Sequence, residues 1–285
     1  MTFIVTRDSV EFAAAAERFL HERIEYNVLA TILVGVLDGR FVDSSSVFAY
    51  AVDAEGGIES AALRTPPWPM ISSELEPVRA GELIDGWLAQ DPDLNGVNAV
   101  PETARAIAAA WAQRTGGSTR CRTKMAMHQL EAVTDPPRPA RGALRPAVVA
   151  ERELLTSWWQ GFVEDAGVIG GGARAIAAVD ARLADDGLFV WADDEPVSLV
   201  AITRPVAGLV RIGPVYTPPE YRRRGYAGSA VAAVSGRALS DGAHRCLLFT
   251  DLANPTSNKI YAEIGYRRFA DWEEHEFEPR SSFCR

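Results

Sequence analysis

The sequence predicts an α/β fold with a mixed sheet, on three observations. Segments of helical and strand periodicity alternate through residues 147–277. One strand–helix–strand stretch, 209–250, has the form of a parallel pair joined by a right-handed crossover. Its first strand runs into a turn rich in arginine and glycine, Arg222-Arg223-Arg224-Gly225-Tyr226-Ala227-Gly228-Ser229, which opens the helix.

In chain order, the N-terminal half reads as a helix at 8–24, strands near 46–52 and 58–64, and a helix at 101–114. That last helix places Ala104, Ile107, Ala108 and Trp111 on one face, with Glu102 in its first turn and Gly116 after its end, as capping rules prefer. Thr65-Pro66-Pro67-Trp68-Pro69 is a rigid aromatic loop, open to two readings: ordinary packing or the lining of a pocket. Residues 133–146, VTDPPRPARGALRP, read as a linker, because proline stiffens the chain and denies it ladder hydrogen bonds. Two domains are therefore expected, 1–138 and 139–285.

Beyond the prolines, Val148, Leu154, Leu155, Trp158, Trp159 and Phe162 recur at helical spacing over 147–167. Gly170-Gly171-Gly172 follows, either a mobile lid or a helix terminator, and then a second helix at 173–185. Strands are expected at 187–192, 196–203 and 209–217, the first two joined by an Asp193-Asp194 turn. In the next helix Ala227, Val231, Val234 and Ala238 form one apolar face. The run 246–250, CLLFT, suits a buried parallel strand; a helix at 255–264 and a strand at 266–277 complete the order.

Composition excludes several classes. Of 285 residues, 47% are hydrophobic and 24% charged, the balance of a globular protein rather than a disordered one. A formal charge of −9 argues against nucleic acid and anionic membranes as partners. The 29 basic residues include only two lysines, Lys124 and Lys259, which reads as a composition bias rather than a message. Three cysteines without a CxxC pair fit a reducing cytoplasm, and the four histidines have no metal-ligand spacing, so no metal is expected. The start of the chain lacks signal-peptide character, and apolar stretches such as 28–37 are too short to span a bilayer.

The arginine–glycine turn has the physical makings of an anion site. A helix N-terminus offers free N–H groups and a positive dipole end, glycines allow close backbone approach, and arginines add donors. A solvated basic turn is the competing reading. The run Val215-Tyr216-Thr217-Pro218-Pro219-Glu220-Tyr221-Arg222-Arg223-Arg224-Gly225-Tyr226-Ala227 resembles the acetyl-CoA motif of the GNAT superfamily of N-acetyltransferases, with Arg222, Gly225 and Ala227 at the defining positions. Asn254, Tyr261, Ile264, Gly265 and Tyr266 resemble the family's closing segment. The resemblance spans roughly 142–277, and the N-terminal half is weakly similar to a second, degenerate unit of a tandem member.

The resemblance implies a GNAT fold and an acetyl-CoA-dependent N-acetyltransferase acting on a small-molecule amine, as a monomer or homodimer. It implies that backbone groups of Val215 to Thr217 hold the pantetheine arm, and that N–H groups from Arg223 to Gly228 cradle the pyrophosphate. Arg222, Arg223 and Arg224 are candidates for the 3′-phosphate. Ser257 and Asn258 are placed at the same mouth. Asn254 has two readings, a helix N-cap or a pantetheine contact. Tyr261, on a face with Ser257, Ile260 and Ile264, is either a core tyrosine or the general acid that protonates the departing thiolate. Glu273 and Glu274 are weak candidates for the base, set against a solvated acidic edge. The alternative function is an acyl-CoA-binding regulatory or sensor protein without turnover.

Overall fold

The computed structural model describes residues 3–40, 45–167 and 174–280. In chain order the elements are β1 (Phe3–Thr6), α1 (Ser9–Glu22), α2 (Asn27–Leu37), β2 (Val47–Val52), β3 (Ile58–Arg64), β4 (Met70–Ser72), α3 (Ala80–Gln90), β5 (Gly96–Ala99), α4 (Pro101–Thr115) and β6 (Ser118–Leu130). Then come β7 (Ala143–Pro146), α5 (Arg152–Ala166), α6 (Ala175–Ala184), β8 (Leu188–Asp193), β9 (Glu195–Ile202), β10 (Leu209–Tyr216), α7 (Tyr226–Ser240), β11 (Arg245–Asp251), α8 (Pro255–Glu263) and β12 (Arg267–Glu278). The Gly170–Gly172 segment lies outside the described residues. No helix among them is long and apolar enough to cross a membrane.

The chain forms two compact units: residues up to 126 together with those from 270 onward, and residues 127–269. This division departs from the expected boundary at 138/139. The reason at the C-terminal end is a ladder: β12 pairs antiparallel with β5, Glu273 opposite Ala99 and Glu276 opposite Gly96, so the last strand belongs to the first unit. The proline-rich segment is no free linker either. Ala140 N–H donates to Ser229 Oγ at 2.9 Å, Trp191 Nε1 donates to the Arg141 carbonyl at 2.7 Å, and Val133 and Ala140 pack on the apolar side of α7. Its end even supplies β7, which pairs with β8.

In the first unit the strands lie in the order β1-β2-β3-β4-β5-β12-β6. Alternation along β2 serves two layers. Val47, Ala49 and Ala51 enter a core with Leu83, Ile84 and Trp87 of α3 and Ile107 and Trp111 of α4. Phe48 and Tyr50 turn the other way and meet Phe12 of α1, with ring centroids 5.1 and 6.3 Å apart. The apolar run at 28–37 is helix α2. Strand β6, thirteen residues long, has no counterpart in the sequence reading; its polar stretch carries no alternation.

A buried ion pair ties this unit's loops. Arg64 Nη1 donates to both carboxylate oxygens of Asp91, at 2.8 and 2.6 Å, and Trp87 Nε1 donates to the same carboxylate at 3.0 Å. Arg64 Nε donates to the Trp68 carbonyl at 2.8 Å, which ties the backbone of the aromatic loop at 65–69 to β3.

In the second unit β11-β10-β9-β8-β7 are successive neighbours. Phe189 and Trp191 of β8 face α7 with Val210 and Ile212 of β10, while Leu188 and Val190 face Leu155 and Trp158 of α5 and Val179 of α6. Strands β10 and β11 are parallel, as expected for the 209–250 unit. The first unit has the same order of elements in β4-α3-β5-α4, with β4 and β5 parallel.

Removing Asp91 leaves a buried guanidinium without its counter-ion. Asp91→Ala is expected to cost about 3–5 kcal/mol, read as a fall in the urea midpoint of the unit that contains it. The Arg64→Met, Asp91→Leu double variant should recover most of that loss; a single variant that unfolds at the wild-type midpoint contradicts the assignment.

Candidate active site

The site begins where two strands part. On its β9 side, β10 is paired to its end, with Val215 opposite Val200 and Tyr216 opposite Leu199. On its β11 side, the registered pairs are Leu209–Arg245, Val210–Cys246 and Arg211–Leu247, and the ladder stops there. Between Ile212 and Val215 the β9 register shifts, with Gly213 at φ +139° and a cis Gly213–Pro214 bond. Proline has no N–H to give and a bulge bends the strand, so β10 leaves its parallel neighbour beyond Arg211. Backbone groups on the inner edges of the gap are left to an incoming polar partner.

At the far end of β10 stands the loop. Gly225, at φ +85°, is the N-cap residue of α7, and the Arg138 carbonyl lies 3.2 Å from where a Cβ would be. Only glycine meets both conditions without strain. The first helical return bond is Ser229 N–H to Gly225 O at 3.0 Å, so the N–H groups of Tyr226, Ala227 and Gly228 precede the ladder and point outward. No acidic residue lies in this first turn.

The three arginines are not equivalent. Arg222 donates through Nε to the Thr217 carbonyl at 2.8 Å and through Nη2 to Asp165 at 2.5 Å, and it lies 5.7 Å from the Tyr216 ring. Arg224 donates to the Glu220 carbonyl at 3.2 Å and covers Tyr221. Arg223 is exposed, at φ +64°, and among the described residues its guanidinium has no partner. Tyr226 is buried and donates to Asp193 at 2.6 Å, so only its backbone N–H is turned to the loop.

Helix α8 forms the other wall. Asn254 caps it, accepting from Ser257 N–H at 3.1 Å, so the N-cap reading is realised and its amide NH2 is left over. Asn258 accepts from Thr250 Oγ1 at 2.6 Å and donates to the carbonyls of Asp251 and Asn254 at 3.0 and 2.8 Å. Both of its N–H donors are thus committed to shaping the 250–254 turn, which corrects the expectation of a direct cofactor contact from that amide. Ile260 lies 3.3 Å from where a Gly228 Cβ would stand, which brings α8 against the start of α7. Tyr261 is half-buried, packs edge-on against Tyr266 at 6.0 Å, and has its phenol pushed up to about 12 by burial.

The two glutamates on β12 belong to the first unit and are not a solvated edge. Glu273 is buried, takes Arg105 Nε and Nη2 at 2.9 and 2.6 Å, and lies 3.0 Å from His275 Nε2; Arg105 above all holds its carboxyl below the ordinary range. Glu274 is half-buried, with its carboxyl raised by burial. Cys121 joins Glu273 and His275 within 4.8 Å, a grouping across two strands that no spacing announces. Both carboxylate oxygens in it are already taken by Arg105.

A parted parallel pair, with a glycine-capped helix start at its open end and a tyrosine helix beside it, is the geometry of the GNAT fold. Residues 153–266 match the acetyltransferase (GNAT) family, so the second unit carries a GNAT domain, whose chemistry is acyl transfer. A GCN5-related N-acetyltransferase from Sphaerobacter thermophilus aligns over 96% of this chain and 95% of its own, with 17% identity and a TM-score of 0.58. A GNAT-family acetyltransferase from Colwellia psychrerythraea covers 98% and 100%, at 12% identity and 0.58. A tandem GNAT protein from the clavulanic acid biosynthesis pathway covers 97% and 98%, at 11% identity and 0.57. These likenesses concern the fold. No curated protein matches in sequence.

Forcing a side chain onto the loop's cap tests its geometry. Gly225→Ala is expected to destabilise by ~1–2 kcal/mol from the left-handed backbone, with a lower melting temperature. A variant that melts with the wild type removes the conformational argument.

Proposed function

We propose that the second unit transfers an acetyl group from acetyl-CoA to the amine of a small molecule, in a ternary complex. The parting of β10 from β11 carries this reading, because it leaves backbone donors and acceptors where an extended amide-bearing arm enters as an added strand. Val215 and the N–H of Thr217 line that edge; the Tyr216 carbonyl is turned to Ser198 of β9 instead, which corrects its expected place on the arm, and the Thr217 carbonyl is spent on Arg222. N–H groups from Arg223 to Gly228 receive the pyrophosphate, with Arg223 as the arginine free to meet phosphate. Asn254 and Ser257 stand at the mouth of α8.

The chemistry is direct. The amine nitrogen bonds to the thioester carbonyl carbon, the C–S bond breaks, and Tyr261 gives its proton to the departing sulfur; the amine's own proton passes to water. Much of the rate comes from holding the two reactants in register. The first unit is read as the degenerate partner of a tandem pair, without a cofactor of its own. Where the second unit has glycines and arginines, the segment after β4 carries Glu74 and Glu76, which line a cavity of about 1020 Å³ together with Glu59 and Glu102. That sign repels a polyanion. We place the protein in the cytoplasm, with no metal in the reaction.

A thiol-release assay with acetyl-CoA over a broad amine panel tests the reading. Release with an amine supports it; binding of acetyl-CoA without release from any amine turns the chain into an acyl-CoA sensor; no binding removes both. Tyr261→Phe is expected to lower kcat by ~10²–10³-fold while leaving acetyl-CoA affinity unchanged. Burial favours the neutral phenol, so the acid survives until the pH rises through its folded value of about 12. The wild-type rate should therefore show no loss of this acid near the ordinary tyrosine value of about 10.

A further inference from the structure

We propose that Arg211 anchors a carboxylate of the acceptor, so that the substrate amine belongs to an amino acid or a similar amino-carboxylate; this rests on the transferase reading above. Arg211 is the last residue of β10 still paired with β11, at the apex of the gap. Its backbone is fixed on the other side, where its carbonyl accepts from Thr203 N–H and its N–H donates to Thr203 Oγ1, both at 2.9 Å. Val210 and Ile212 enter the core against α7, so the Arg211 side chain leaves the sheet on the opposite face, the one covered by α5 and α6.

On that face no acid among the described residues meets the guanidinium. Nη1 is buried and has no partner among the described residues. The charge that acts on Arg211 is a second cation, Arg182 of α6, and together burial and Arg182 draw its pKa down to about 10. Arg152 and Arg222 in the same unit show the contrast, each meeting a carboxylate oxygen at 2.5 Å. The chain has 38 acidic residues for 29 basic ones, so a half-buried arginine whose Nη1 is buried with no counter-ion among the described residues is not a shortage of acids. A buried charge left unpaired is costly, and the planar fork of arginine matches a carboxylate with two parallel hydrogen bonds. Part of the side chain keeps access to solvent, which gives the ligand its approach.

The cofactor's phosphates do not explain this site. Arg211 lies five residues, roughly 17 Å of strand, before the end of β10, and the phosphate loop begins beyond that end. A small carboxylate arriving with the amine, from the apex side of the gap, is the anion that fits.

The test uses the full chain, acetyl-CoA and matched acceptors: α-, β- and γ-amino acids, each beside its C-terminal amide, which keeps the amine and loses the carboxylate. At least one acid is expected to exceed its amide by roughly 10–100-fold in kcat/KM, the span of a hydrogen bond to a charged group. Arg211→Gln should bring the pair level without changing the melting shift given by acetyl-CoA, and Arg211→Lys should keep part of the preference. The same acid should raise the melting temperature of wild type but not of Arg211→Gln, a readout that needs no turnover. Equal handling of acids and amides by wild type, no melting shift with any acid, or a preference that survives Arg211→Gln overturns the assignment while leaving acetyl transfer standing. If acetyl-CoA neither binds nor releases thiol, the transferase reading fails on its own, and the acid's melting shift alone decides Arg211.

Discussion

The second unit depends on one constraint: beyond Arg211, strand β10 is held by β9 alone. An open strand edge inside a sheet is unusual, because unpaired N–H and C=O groups invite water or another chain. Here the remaining support is concentrated on the β9 side. Ser198 donates to the Tyr216 carbonyl at 3.1 Å and lies 2.9 Å from Thr217 Oγ1, so the end of β10 is pinned by side chains as well as by the ladder. Gly213 and Pro214 make the bend, and the strap at 133–146 holds the start of α7 from behind. Each device is local, and together they keep an open edge open.

Charge around the loop is arranged with the same economy. Two of its three arginines are spent on the fold: Arg222 ties the loop to α5 through Asp165 and to β10 through Thr217, and Arg224 closes on Glu220. What remains for an anion is a set of backbone N–H groups, the positive end of α7 and Arg223. In a chain of net charge −9, the loop is positive because acids are kept out of its first turn, not because the surface is basic. The abundance of arginine thus has two meanings, a composition bias over most of the chain and a constructed field at one helix start.

Much of this was legible in the sequence because it is local. The strand, the glycine cap and the helix of β10-loop-α7 are successive residues, and so are Asn254, Pro255 and the face carrying Tyr261. The boundaries of α7, β11 and α8 fall within a few residues of the pattern. What was not legible depends on partners far apart in the chain. Nothing in Glu273–Glu276 says that β12 pairs with β5 rather than staying with the strands before it. The prolines at 136–146 look the same whether the segment floats or packs, and the bond from Ala140 to Ser229 decides it. The unequal fates of Arg222 and Arg223 rest on Asp165, fifty-seven residues upstream. Arg211 reads as an ordinary strand arginine until the absence of an acid across from it is seen.

The raised phenol of Tyr261 bears on the proposed proton transfer in a way that free-solution values hide. Against a thiol of about 8.5, a phenol at its ordinary value of about 10 is already a reluctant donor, and burial makes it more so if only the tyrosine is considered. But the departing thiolate enters the same low-dielectric surroundings, and burial penalises every anion alike. Cys246 on β11 shows the size of this effect within the unit: burial pushes its thiol up to about 11. A buried phenol thus faces a sulfur whose anion is penalised in the same direction, so burial of the pair does not by itself widen the gap between donor and acceptor. Burial therefore keeps Tyr261 protonated through the working range and, by acting in the same direction on the acceptor of its proton, leaves the transfer within reach.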